Sequence, residues 1–153
     1  MRIYRQKEVD STCFLVALQN CASHLNLKAN KNFVSLIHKY KDLCSSGPLL
    51  NKKQAVYNLR IPLSNVPTPE SVFVSGGIFG IMHPIFNGHA VFGVPIGREY
   101  IVLYNSWLGP EVMTVSWHEF KPFCVDNLGG HWVIDKALYK KCALRLDGRP
   151  YNL

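Results

Sequence analysis

Two periodicities divide the chain. Over residues 10–27, apolar side chains recur at helical spacing as Phe14, Ala17, Leu18, Cys21, Ala22 and Leu25, which predicts a helix with one face in a core. Asp10 or Ser11 can cap its start. Leu15 and Val16 lie off that stripe, so more than one face of this helix is expected to be buried. Cys13 falls in its first turn. A second helix is expected at about 31–43, where Phe33, Leu36, Ile37 and Tyr40 form the stripe and Asn30 or Asn32 can cap it. Ser45-Ser46-Gly47-Pro48 ends it. Residues 51–60 suit a short third helix, and Pro62, Pro67 and Pro69 mark an irregular connection around 61–70.

From Ser71 the pattern becomes that of strands. Ser71–Val74 and Ile78–Met82 are short runs of β-branched and aromatic residues. The stretch Gly88–Gly109 then predicts a hairpin. Its first strand holds His89, Ala90, Val91, Phe92 and Val94, its turn Gly97, Arg98 and Glu99, and its second strand Tyr100–Tyr104, closed by Asn105, Ser106 and Trp107. Val112–Ser116 is a further strand, Trp117–Phe123 a turn or short helix, and Trp132–Asp135 and Ala143–Leu146 complete the expected sheet. Helices followed by antiparallel strands make the fold class α+β. Neither a repeat nor a linker interrupts residues 1–153, which are expected to form one domain.

Composition narrows the function classes. Of 153 residues, 48% are hydrophobic and only 18% are charged, which excludes a disordered chain. The net charge of +7 is carried by Lys and Arg scattered without a basic stripe, so it reads as surface charge and nucleic acid is not an expected partner. The first ten residues lack a signal-peptide core, and no segment reaches the ~20 apolar residues of a membrane span. Five cysteines with no CxxC pair exclude a complete disulfide framework and argue against a zinc ribbon. A reducing, cytoplasmic location follows as the expectation.

The residues that carry chemistry fall at element boundaries. A hairpin brings the start of its first strand near the end of its second, which sets His89 and Asn105 together. An imidazole beside a carboxamide lacks only a nucleophile. Cys13 supplies one, since a thiol at a helix N-terminus feels the positive end of the helix dipole. His89 would form a thiolate–imidazolium pair with it and later protonate the leaving group. Asn105 would accept from the far ring nitrogen and fix the tautomer. The backbone N–H of Cys13 and the side-chain amide of Gln6 would receive the oxyanion. Taken singly, each residue has a plainer reading: Cys13 as core, His89 as a half-buried histidine, Asn105 as a turn residue. His24, His38, His83, His118 and His131 show no metal-ligand spacing, and Cys44, Cys124 and Cys142 read as structural thiols.

In this set the chain resembles the papain-like cysteine peptidases. Their sequences carry an oxyanion-hole Gln, a Cys opening a long helix, a GHA-type His strand and an Asn-Ser-Trp. Here these are Gln6, Ser11-Thr12-Cys13-Phe14, Gly88-His89-Ala90-Val91 and Asn105-Ser106-Trp107-Leu108-Gly109, in that order. In size and Cys-to-His spacing the chain is similar to the small bacterial leader-peptide peptidases that cut after double glycine, and to small viral and effector relatives. The resemblance implies a papain-like fold, with N-terminal helices packed on a C-terminal antiparallel sheet. It also implies cleavage of peptide or isopeptide bonds in a protein or peptide substrate without metal or cofactor, Trp107 packing over the site, and Trp107 and Gly88 on its substrate-binding side. The papain motif C-G-[SA]-C-[WY] is replaced by Asp10-Ser11-Thr12-Cys13-Phe14, and Gln6 stands one residue further from the Cys than the family pattern suggests. Acyl transfer to an amine or thiol on the same site, and a non-catalytic papain-like binding domain, are the alternatives.

Overall fold

The computed structural model describes residues 3–4, 13–26, 49–83, 87–104, 110–125 and 130–138. The helix expected over 31–43 and the strand expected over 143–146 lie outside them. Helix α1 spans Cys13–His24 and α2 spans Leu49–Asn58. They are followed by β1 (Leu63–Val66), α3 (Pro69–Phe73), β2 (Gly77–His83), β3 (Asn87–Ile96) and β4 (Tyr100–Tyr104). Then come β5 (Val112–Ser116), α4 (Trp117–Phe120), a 3-10 turn at Lys121–Phe123 and β6 (His131–Ile134). The six strands form one antiparallel sheet in the order β1-β6-β2-β3-β4-β5. The fold is α+β.

Both faces of the sheet are covered. Ile78, Ala90, Phe92, Trp132 and Leu63 pack with α1 and α2 in one core, which holds Phe14, Leu18, Cys21, Ala55 and Val56. Phe79, Ile81, Val91, Ile101 and Leu103 meet Val72 of α3 and Phe120 of α4 in a second. Side chains alternate along a strand, so a sheet buried on both sides needs unbroken apolar runs. The Ile78-Phe79 and Ala90-Val91-Phe92 runs satisfy that need. Aromatic rings fill the second core: Trp117 stacks on Phe73 with centroids 4.3 Å apart, and Phe79 meets Phe120 edge-on at 5.3 Å.

Two elements depart from the sequence reading. Ser71–Val74, expected as a strand, belongs instead to the helical turn of α3 and its C-cap. Thr68 is extended and caps the turn through its hydroxyl, which accepts from the Ser71 N–H, and Pro69 stands at the first turn, where its missing N–H costs nothing. The connection expected to be irregular over 61–70 contains β1, paired with β6 from Leu63↔Ile134 to Val66↔His131. At the start of β2, Gly77 has φ +152°, and a Cβ there would sit 2.0 Å from the Trp132 carbonyl oxygen. Only glycine lets β6 approach so closely. Among the described residues, no helix is long and apolar enough to cross a membrane.

Helix α2 ends in a Schellman arrangement: Ile61 N–H donates to the Val56 carbonyl and Arg60 N–H to that of Tyr57, with Arg60 left-handed at φ +55°. A Cβ is strained there. Arg60→Gly is expected to stabilise the protein by about 0.5–1 kcal/mol. A higher urea midpoint with unchanged m-value is the readout, and a lower midpoint would contradict it.

Candidate active site

Helix α1 is buried almost all round, from Cys13 to Leu18 and again from Asn20 to Ala22. Cys13 opens the helix and is 2% exposed. The first turn carries no acidic side chain, so the dipole at that end is unopposed within the helix, and it favours an anion. The next residue, Phe14, meets Trp132 edge-on at 5.8 Å. Cys21 also lies in the core, where burial pushes its thiol far above the ordinary range and makes it inert. Cys13 lies in the same core and differs from Cys21 in its place at the helix start.

His89 is the third residue of β3 and is fully buried. It pairs with Ile81, and Gly88 pairs with Met82. Helix α1 packs against β3, and Cys13 shares a core with Ala90, the neighbour of His89. The helix with the thiol and the strand with the imidazole are thus in contact. Register adds a constraint. Ile81 and Val91 belong to the core on the far face from α1, so the His89 Cβ leaves the sheet on that side. The backbone register thus directs His89 to the sheet face opposite the helix that holds Cys13. Asn105, Trp107 and Gln6 lie outside the described residues; β4 runs as far as Tyr104, which pairs with Phe92.

The other described histidines are placed away from this thiol. His24 closes α1, about 16 Å along the axis from Cys13 at the helical rise. Its ring lies 5.5 Å from Phe92, and desolvation lowers its pKa. His131 is fully buried, and its Nδ1 accepts from the Gly80 N–H at 3.3 Å, so the neutral ring carries its proton on Nε2. It adjoins Trp132, which faces α1, so His131 faces the opposite way. His118 lines a cavity of about 330 Å³ with Arg98, Tyr100 and Trp117. That cavity sits at the β3–β4 turn, at the other end of the hairpin from His89. Among the described residues, no cluster of three His, Cys, Asp or Glu side chains could hold a metal ion.

Two buried polar residues escaped the sequence reading. Asn20, fully buried on α1, clasps the Tyr4 peptide: its Oδ1 accepts from the Tyr4 N–H at 2.7 Å, and its Nδ2 donates to the Tyr4 carbonyl at 3.0 Å. The anchor fixes the chain two residues before Gln6. Lys52, on α2, is fully buried with its ammonium 5.5 Å from the centre of the Phe14 ring. The signal for Lys52 was present, since it lies on the Ala55, Val56, Leu59 stripe at helical spacing. For Asn20 it was an amide, next to Gln19, on a helix with two apolar faces. No protein-family model matches the chain, and no curated protein matches it.

Asn20→Ala strands both polar groups of Tyr4. It is expected to destabilise the protein by about 2–3 kcal/mol and to speed hydrogen exchange at the Tyr4 amide. An unchanged exchange rate would show that the clasp does not hold the arm in solution.

Proposed function

We propose that the chain is a thiol hydrolase of papain-like fold, a cysteine peptidase acting through Cys13, His89 and Asn105. The observation that carries this reading is a thiol in the first turn of a helix that packs on the strand bearing a buried histidine near its start. The order Gln6, Cys13, His89, Asn105 along the chain supports it, as does the α+β arrangement of helices on an antiparallel sheet.

In this mechanism the Cys13 thiolate attacks the carbonyl carbon of a peptide or isopeptide bond. A C–S bond forms and the carbonyl π electrons move to oxygen. The Cys13 N–H and the Gln6 amide donate to that oxyanion. As the tetrahedral species collapses, the C–N bond breaks and His89 gives its proton to the departing amine. His89 next takes a proton from water, the resulting hydroxide attacks the thioester, and the sulfur leaves as thiolate. Asn105 holds the imidazole in the tautomer both steps need. A thiol or amine in place of water gives acyl transfer from the same intermediate. The deep burial of Cys13 and His89 favours a second reading, a binding domain that keeps the scaffold without turnover.

Labelling with iodoacetamide followed by peptide mapping separates the two. Hydrolase chemistry predicts dominant modification of Cys13 over the other four thiols, and loss of turnover on a pool of quenched fluorogenic peptides in Cys13→Ala with the fold retained, since Ala suits a helix. Slow and equal labelling of all five cysteines would establish the binding domain instead. Gln6→Ala should lower kcat by about 10²–10³-fold with little change in KM, because the donor acts on the transition state. Parent-like turnover would remove Gln6 from the oxyanion hole.

A further inference from the structure

We propose that the outer edge of β5 is a self-association surface, on which a second copy of this chain adds its own β5, antiparallel, across a two-fold axis at Thr114. The inference is independent of the hydrolase reading. Strand β5 (Val112–Ser116) ends the sheet, and among the described residues no strand lies beyond it. An edge strand presents a row of N–H and C=O groups, which proteins blunt with proline, charge or a bulge. The opposite edge is blunted in this way. Strand β1 stands between Pro62 and Pro67, and its Leu63 N–H donates to the Ile61 carbonyl at 2.8 Å. Strand β5 has no such device. Val112-Met113-Thr114-Val115-Ser116 holds neither a charge nor a proline, and it pairs with β4 residue for residue from Tyr104↔Val112 to Tyr100↔Ser116.

The register fixes which backbone groups face outward. The Trp117 N–H donates to the Glu99 carbonyl at 2.7 Å, which makes Glu99 and Trp117 a hydrogen-bonded pair. By alternation Val115 and Met113 also bond toward β4, while Val112, Thr114 and Ser116 direct their N–H groups off the sheet edge. A second β5 set with Thr114 opposite Thr114 and Val112 opposite Ser116 brings every outward-facing residue against another. The two Thr114 residues then exchange N–H···O=C bonds, and each Ser116 N–H donates to the Val112 carbonyl of the other copy.

The side chains suit the same axis. In an isologous contact a residue on the axis meets itself, so a charge there would repel its own copy. Thr114 stands at that place, exposed and uncharged, and Thr–Thr pairs across antiparallel strands are favourable. On the face of the second core, Met113 of one copy lies opposite Val115 of the other. Both are partly buried where they pack on that core, and the added strand closes its rim. On the other face, a row of Tyr100, Ser116, Val112 and Tyr104 runs from one copy into the next without a charged side chain. Tyr100 is 49% exposed and Val112 is 39% exposed, so the pairing covers apolar surface that a single copy leaves in water. Tyr100 and Ser116 also line the cavity at this end of β5, which sets Val112 of the second copy beside it.

A strand pair of this length buries little area, so a dissociation constant of about 1–100 µM is expected. Sedimentation velocity through and above that range, read with hydrogen exchange, tests it. The parent is expected to pass from monomer to dimer, with exchange at the Thr114 and Ser116 amides slowing as the dimer forms. Thr114→Lys and Thr114→Glu each place like charges on the axis and should lose the dimer, while circular dichroism verifies the fold. Mixed in equal amounts, the two variants should regain it, because opposite charges then face each other. A parent that stays monomeric, a dimer that survives Thr114→Lys, a mixture that does not associate, or growth into open-ended species overturns the proposal.

Discussion

Burial of β2 and β3 on both faces is the constraint on which the rest of the structure depends. Antiparallel strands often leave one face to water, but here α1 and α2 cover one side while α3 and α4 cover the other. Every residue in the covered stretches of these strands must therefore be apolar, small or internally satisfied. That condition explains the continuous apolar runs, the glycines where β6 and side chains from neighbouring strands crowd β2 and β3, and the depth at which His89 lies. It also gives α1 a fixed seat, and so sets the direction in which its N-terminus points.

Inside this frame the buried polar groups stand out, since each must be offset locally. Asn20 meets both sides of the Tyr4 peptide and ties the N-terminal arm to the helix carrying Cys13. His131 takes the Gly80 N–H on its Nδ1, which sets the tautomer of the neutral ring. Among the described residues, Lys52 on α2 and His89 on β3 are also fully buried.

The elements that the sequence predicted correctly share one property. The helix over Cys13–His24, the strands over Gly77–His83 and Tyr100–Tyr104, the turn at Gly97-Arg98-Glu99 and the strand at Val112–Ser116 are each specified by local periodicity or turn chemistry. Thr68-Pro69-Glu70 was equally local, but its capping chemistry was outweighed by the Val72-Phe73-Val74 run that follows, and the helix was read as strand. Strand β1 could not be found this way. Its residues Leu63-Ser64-Asn65-Val66 lie between prolines and are half polar, and they become a strand because β6, far along the chain, offers its edge.

By itself, the sequence determined the class of the fold, the position of Cys13 at a helix start and of His89 at a strand start, and the order of Gln6, Cys13, His89 and Asn105, because residue spacing and capping act over a few positions of chain. The tertiary structure decided which face of β3 carries His89, that Lys52 goes inside rather than into solvent, that Asn20 grips Tyr4, and that His131 turns away from α1. Each of these depends on register or on helix-to-sheet packing between segments distant in sequence. No local pattern encodes such contacts, since a side chain's environment is supplied by whichever element packs against it.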